Sequence, residues 1–210
     1  REPAYYTDVH ELTDIRIAET RATKMLNGAT VCFGDVEVSR QVIGYRKRPL
    51  YDGSQRRGDS LSETMLQLPA RVFSTAAVWF DLPPKVHDRA RKERADLPGG
   101  LHATEHAAIG VLPLFALCDR NDIGGVSTAL HPDTGEPQVF IYDGHPGGVG
   151  IAEHAYAVIE ELLEATLGAV AECGCADGCP SCIQSPKCGS NNYPLDKRVA
   201  ADLLRGLLGR

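Results

Sequence analysis

The chain has 210 residues, 43% hydrophobic, 24% charged and 6% aromatic, a balance expected of a globular protein of one or two domains, each able to bury a core. Its longest apolar stretch, Ala107 to Cys118, is broken by Gly110 and Pro113. It falls short of the roughly 20 residues that a membrane span requires, and no apolar signal-peptide core opens the chain. The net charge of −6 hides an asymmetry: residues 1–100 hold 16 Lys and Arg against 14 Asp and Glu, whereas residues 101–210 hold 6 against 14, so two parts with different neighbours are expected.

A start on Arg1 reads as a piece cut from a longer protein. From about Ala29 to Leu82, short runs of alternating apolar and polar residues (Val31-Cys32-Phe33, Val36-Glu37-Val38, Val42-Ile43-Gly44-Tyr45, Arg71-Val72-Phe73, Ala77-Val78-Trp79-Phe80) are punctuated by Gly34-Asp35, Asp52-Gly53 and Gly58-Asp59. This pattern predicts a small antiparallel sheet or partial barrel with turns at those pairs, closed by Pro83-Pro84. Trp79 and Phe80 are expected in the core.

Within it, Arg40, Arg46, Lys47, Arg48, Arg56 and Arg57 face a single acid, Asp52, with Tyr45 and Tyr51 interleaved. Cations beside aromatic rings suit single-stranded nucleic acid, whose bases stack on rings while its phosphates attract charge; the same run is also what a solvated face looks like. Lys85, Arg89, Arg91, Lys92 and Arg94 form a second basic segment on a predicted helix over 85–93.

A second helix is predicted over 101–118, divided or kinked by Pro113. It carries His102-Ala-Thr-Glu105-His106, the H-x-x-E-H spacing of inverted zinc peptidases, for which Glu153 or Glu160 could supply a third ligand. A helix pairing its histidines with nearby polar groups explains the segment equally without metal. After a turn over 119–125, Gln138 to Asp143 is a short β-rich run, predicted as a buried strand.

The loop Asp143-Gly144-His145-Pro146-Gly147-Gly148-Val149-Gly150 then leads into a helix predicted over 151–171. Its position resembles phosphate-binding loops, but it lacks the Lys-Ser/Thr of a nucleotide P-loop. Asp143, Gly147, Gly148 and Gly150 read as a structural loop whose crowded backbone tolerates only glycine, or as a contact with a nucleic-acid phosphate or a neighbouring domain. Asp196 is placed to cap a final helix carrying Val199, Leu203, Leu204, Leu207 and Leu208.

Five of seven cysteines (Cys173, Cys175, Cys179, Cys182, Cys188) fall between residues 173 and 188. An odd count with no signal peptide favours a reducing, cytoplasmic setting over a disulfide scaffold. The two-residue gap between Cys179 and Cys182 lets both sulfurs hold one tetrahedral ion, and a redox pair would leave three thiols unexplained. The expected cofactor is structural Zn2+, which spacing alone does not separate from an iron–sulfur cluster. Five thiols compete for four positions; the reading takes Cys175, Cys179, Cys182 and Cys188, with Cys173 as the alternative fourth ligand.

Taken in order, His102-x-x-Glu105-His106, Asp119-Arg-Asn-Asp122-Ile-Gly-Gly, Tyr142-Asp-Gly-His-Pro-Gly-Gly-Val-Gly150 and Cys-x-Cys-x3-Cys-Pro-Ser-Cys with Ser-Pro-Lys-Cys-Gly resemble one family over about residues 98–199. It is the C-terminal zinc-binding module of bacterial superfamily II DEAD/DEAH-box DNA helicases of the MrfA/SftH type. The resemblance implies a tetracysteine zinc site and a parent enzyme that hydrolyses ATP and translocates 3′ to 5′ on single-stranded DNA in DNA repair. No GxxxxGK[ST] and no DEAH-type box occur in these residues, so the fragment itself is expected not to be an enzyme.

The expectation is therefore an α+β region. Residues 1–84 form a small antiparallel β-rich basic module, and residues 85–210 a helical module with the strand, glycine loop and four-cysteine zinc site. Its partners are single-stranded DNA and the upstream helicase motor domains, with no membrane. The alternatives are a zinc-stabilised protein-interaction scaffold without DNA contact, and a metal-dependent hydrolase acting through His102, Glu105 and His106.

Overall fold

The computed structural model describes residues 5–50 and 60–210. Two long strands, β1 (Tyr5–Leu26) and β2 (Ala29–Pro49), form an antiparallel ribbon. They turn through Asn27-Gly28, both with positive φ (49° and 93°), the geometry that matches the twist of a two-residue hairpin. The ribbon is followed by β3 (Ser62–Met65), β4 (Arg71–Phe80), β5 (Ile123–Thr128) and β6 (Gln138–Asp143). The strand order is β1-β2-β4-β6-β5, every pairing antiparallel, with β3 added on β2. The sheet crosses residue 84, because β6 pairs with β4.

Both faces of the central strands are buried. Val31, Val78, Phe80, Val139 and Ile141 pack on one face against the helices, while Val36, Val38, Ala77, Trp79, Phe140 and Tyr142 fill the other with Ile15. Trp79 stacks on Phe140 with ring centroids 5.7 Å apart. The loop joining β5 to β6 reaches β1: His131 Nε2 lies 3.1 Å from the Ile15 carbonyl, and the Ile17 amide donates to Asp133. The sheet thus curls, and β1 and β5 are its edges. The helices are α1 (Pro84–Lys92), α2 (Leu97–Val111), α3 (Ile151–Ala157), α4 (Ile159–Ala171) and α5 (Lys197–Leu207). At the start of α5 the Asp196 carboxylate accepts the Val199 amide at 2.8 Å, which satisfies one orphan donor.

The α+β class, the buried strand β6 and the capped last helix agree with the sequence reading. Other local expectations do not hold. Gly34-Asp35 is no turn: Gly34 lies inside β2 beside a bulge in β1, where a Cβ would collide with the Glu19 carbonyl. The segment after Asp122 is strand β5 rather than turn, and the long helix is divided at Val158. Pro113 falls in a 3-10 turn that ends α2. The predicted turns Asp52-Gly53 and Gly58-Asp59 lie outside the described residues.

Candidate metal centre

The segment after α4 doubles back on itself. The amides of Cys182 and Ile183 donate to the Cys179 carbonyl at 3.0 and 3.2 Å, and the Cys179 amide donates to Cys182 Sγ at 3.3 Å. Ile183, fully buried, anchors this turn in the main core. The turn brings four sulfurs together: Cys173, Cys175, Cys179 and Cys182 lie within 4.8 Å of one another. Sγ separations are 3.6 Å (Cys173 to Cys175), 3.5 Å (Cys173 to Cys179), 3.5 Å (Cys175 to Cys182) and 3.8 Å (Cys179 to Cys182).

A tetrahedral zinc at the usual 2.3 Å from sulfur demands ligand edges of about 3.8 Å, so the residues fit the ion. Burial opposes ionisation at Cys175, but hydrogen bonds with three neighbouring thiols and Lys197 bring it down to about 7. Cys182 is pushed up to about 12, first by burial. Four thiolates without a cation are thus not sustained at neutral pH. Lys197 Nζ caps the cluster from α5, donating to the Cys173 and Cys175 carbonyls at 2.6 Å each and lying 3.4 Å from Cys175 Sγ.

The fourth sulfur is Cys173, not Cys188. Helix α4 ends at Ala171, which frees Cys173 to turn toward its neighbours. Cys188 sits instead with His102 and His106, the three ligand atoms within 4.8 Å of one another. This group borders a cleft of about 430 Å³ lined by β1 (Glu11, Leu12), β5 (Gly125, Ser127) and the 185–194 loop. Burial opposes ionisation of the Cys188 thiol, but hydrogen bonding with His102, His106, Ser190 and the Asn192 amide lowers it to about 4. Glu105 is buried, which raises its carboxyl despite the nearby histidines and a hydrogen bond from Ser127. Glu153 and Glu160, the third ligands foreseen for a peptidase, are exposed on α3 and α4 and do not join the histidines.

The glycine loop serves the protein's own carboxylate. Buried Asp143 accepts the amides of Val149 (2.5 Å), Gly150 (2.8 Å), Ile151 (3.3 Å) and Ala152 (2.7 Å). The donors that would meet a phosphate therefore converge on a side chain. Gly147, Gly148 and Gly150 have positive φ, and at Gly148 a Cβ would also stand 3.1 Å from that of Ala76.

The basic stretch is distributed rather than concentrated. Arg40 pairs with Glu11 at 2.5 Å and Arg46 with Glu63 at 3.1 Å. Arg48 Nε lies 2.5 Å from Asp8, an ion contact out of line for a hydrogen bond. Lys47 Nζ stands 4.9 Å from the centre of the Tyr5 ring. Arg56 and Arg57 lie outside the described residues. By contrast Lys85, Arg89, Arg91, Lys92 and Arg94 are exposed on and after α1, and among the described residues none of them forms an ion pair. Two roles were missed in the sequence: Lys197 as the cap of the cysteine cluster, and Lys187 as a clamp whose Nζ donates to the Arg120 and Ile123 carbonyls at 2.8 and 3.0 Å. Proximity in sequence to the cysteines was the only signal for either.

Among the described residues no helix is long and apolar enough to cross a membrane. The chain is 29% identical over 180 residues to the "Uncharacterized ATP-dependent helicase YprA" of Bacillus subtilis, which covers 85% of this chain and 23% of that protein. It is 27% identical over 217 residues to "ATP-dependent helicase HRQ1" of Saccharomyces cerevisiae, covering 98% and 20%. The chain therefore spans about a quarter or less of these helicases. Its fold is similar to a crystal structure of the DUF1998 helicase MrfA bound to DNA, with a TM-score of 0.65 and 25% identity, over 99% of this chain and 26% of that one.

Protein MJ1572.1 of Methanocaldococcus jannaschii is 44% identical over 113 residues, which is 51% of this chain and 99% of that protein. The family described as MZB, the MrfA Zn-binding domain, matches residues 104–183, from the middle of α2 through the four-sulfur cluster. Cluster, fold and sequence agree: the chain belongs to the MrfA Zn-binding domain family.

Proposed function

We propose that this chain is the accessory C-terminal region of an ATP-dependent 3′–5′ DNA helicase or translocase acting in DNA repair. In this reading a structural zinc on Cys173, Cys175, Cys179 and Cys182 holds the 172–184 segment to α5, and the region contacts both the motor and single-stranded DNA. The observation that carries the reading is the likeness, over 99% of the chain, to a helicase solved with DNA. The surface supports a division of labour. Arg40, Arg46 and Arg48 of β2 are held in ion pairs, so their contacts with DNA would first have to break them, whereas Lys85, Arg91 and Lys92 of α1 form no ion pair among the described residues and are open to phosphates.

The test is anisotropy of labelled single-stranded and duplex DNA with the intact helicase chain, between about 50 and 200 mM salt. Affinity should fall with salt, and the pair Arg91→Glu, Lys92→Glu should reduce the slope of log K against log salt by about 2. If those substitutions leave binding and its salt slope untouched, the scaffold reading without DNA contact is the better one.

A further inference from the structure

The tetracysteine cluster leaves unexplained the second convergence of ligand atoms, at His102, His106 and Cys188. Spacing of four residues on α2 sets both imidazoles on one face, with ring centroids 4.2 Å apart. Each ring is held from behind by a main-chain carbonyl. His102 Nδ1 lies 2.7 Å from the Pro194 oxygen and His106 Nδ1 lies 2.9 Å from the Ile183 oxygen. A carbonyl only accepts, so both Nδ1 atoms carry the proton. In the neutral rings both Nε2 lone pairs then point forward, where Cys188 Sγ lies 3.4 Å from His102 Nε2. The sulfur is itself approached by the Asn192 amide at 3.1 Å and the Ser190 hydroxyl at 3.2 Å. Three lone-pair atoms thus face one another with at most the thiol proton among them. Backbone support behind each imidazole and amide donors to the sulfur are the outer contacts that orient metal ligands.

We propose that His102, His106 and Cys188 form a second metal site, separate from the four-cysteine cluster, which binds a zinc-class divalent ion through Nε2, Nε2 and Sγ and leaves a fourth position open to the cleft. Zinc bound tetrahedrally by one nitrogen and one sulfur sets them about 3.5 Å apart, close to the 3.4 Å between His102 and Cys188. A nitrogen and thiolate set selects zinc-like ions over magnesium or calcium, which prefer oxygen. Three protein ligands beside an opening are the pattern of a site that takes water or a ligand rather than of a closed structural one. The Ser-Pro-Lys-Cys-Gly segment delivers the sulfur. Lys187 clamps the segment to β5, and Gly189 packs so closely on β1 that a Cβ would stand 2.8 Å from the Glu11 carbonyl. The site thereby ties α2, the cysteine segment and both edges of the sheet to one ion.

Metal content of the full chain, purified without a histidine tag and measured by plasma mass spectrometry, tests this. About two zinc ions per chain are expected, one for each ligand group, falling to about one in Cys188→Ser and in His106→Ala with circular dichroism unchanged. Should either variant fail to fold, cobalt titration of the unaltered protein decides. A second equivalent should bind with d–d bands at shorter wavelength than the first, as mixed nitrogen and sulfur ligation requires. One equivalent, unaltered by Cys188→Ser and by His106→Ala, overturns the proposal. So does stoichiometric alkylation of Cys188 in metal-replete protein, which would mark a free thiolate hydrogen-bonded to histidine.

Discussion

Tyr142 and Asp143 end the same strand with opposite requirements. Tyr142, 4% exposed, points into the curled face of the sheet, and burial pushes its phenol up to about 12. Because the folded value lies above the ordinary one near 10, the stability that depends on the neutral phenol is complete below pH 10. It is lost as pH rises toward 12, by up to about 1.4 kcal/mol per pH unit. Urea unfolding at pH 9, 10 and 11 should show that decline, and Tyr142→Phe should flatten it. Asp143 needs its charge instead, since one carboxylate oxygen takes three amides and the other takes one. Asp143→Asn turns one side of that acceptor into a donor against buried N–H groups and should cost about 3 kcal/mol, read as a lower urea midpoint with unchanged slope. The carboxylate's role was not legible in a motif that looks like an anion loop, because the sequence does not say that the anion is its own Asp143.

Elements with a clear period or cap were legible, and those shaped by long-range contact were not. Helix α5 shows both an apolar stripe and the Asp196 cap, and β6 is apolar at most positions between turn residues. Strand β1 is neither. It buries only Ile15 and Leu26 outright, it lies at an edge, and three register shifts against β2 break its alternation, so Asn27-Gly28 was its single strong signal. Cys173 was placed behind Cys188, as the alternative fourth ligand, for a similar reason. A one-residue gap to Cys175 looks tight on paper, but the chain leaves α4 before residue 173 and the fourth place is filled from the near side. Meanwhile Cys188 is drawn away by histidines some 80 residues earlier, a pairing that no local spacing reveals. The same long-range logic gives Lys197 a measurable role. Its ammonium holds two carbonyls and faces one sulfur of the cluster, so Lys197→Met should weaken zinc binding by about 10- to 100-fold, measured by competition with a chromophoric chelator, while the cap at Asp196 keeps α5 helical.

The molecule as a whole is lopsided: helices and core gather at one end of the sheet, and the far half of the β1–β2 ribbon extends beyond β4, which pairs β2 only from Val31 to Arg40. Cross-strand register sorts that half into two faces. One carries Asp8, His10, Arg46, Arg48 and Glu63, joined in ion pairs. The other carries Tyr5, Val9 and Tyr45 with Lys47, and Val9 there is 49% exposed and Tyr5 41%. Tyr45 therefore lies on the face opposite to Arg46 and Arg48, beside Lys47, while Tyr6 stands across from Arg48 on the ion-paired face. The proposed helicase would seat its motor against this apolar face. Val9→Asp should leave the region's own stability within about 0.5 kcal/mol. In the intact helicase it should remove about 2 kcal/mol from the contact, seen as at least tenfold weaker coupling of DNA binding to ATP hydrolysis. Arg46→Ser, on the ion-paired face, should change neither quantity by more than about 1 kcal/mol. Equal effects from the two substitutions would mean that the ribbon meets its partner through charge, and the assignment of the apolar face to the motor would fail.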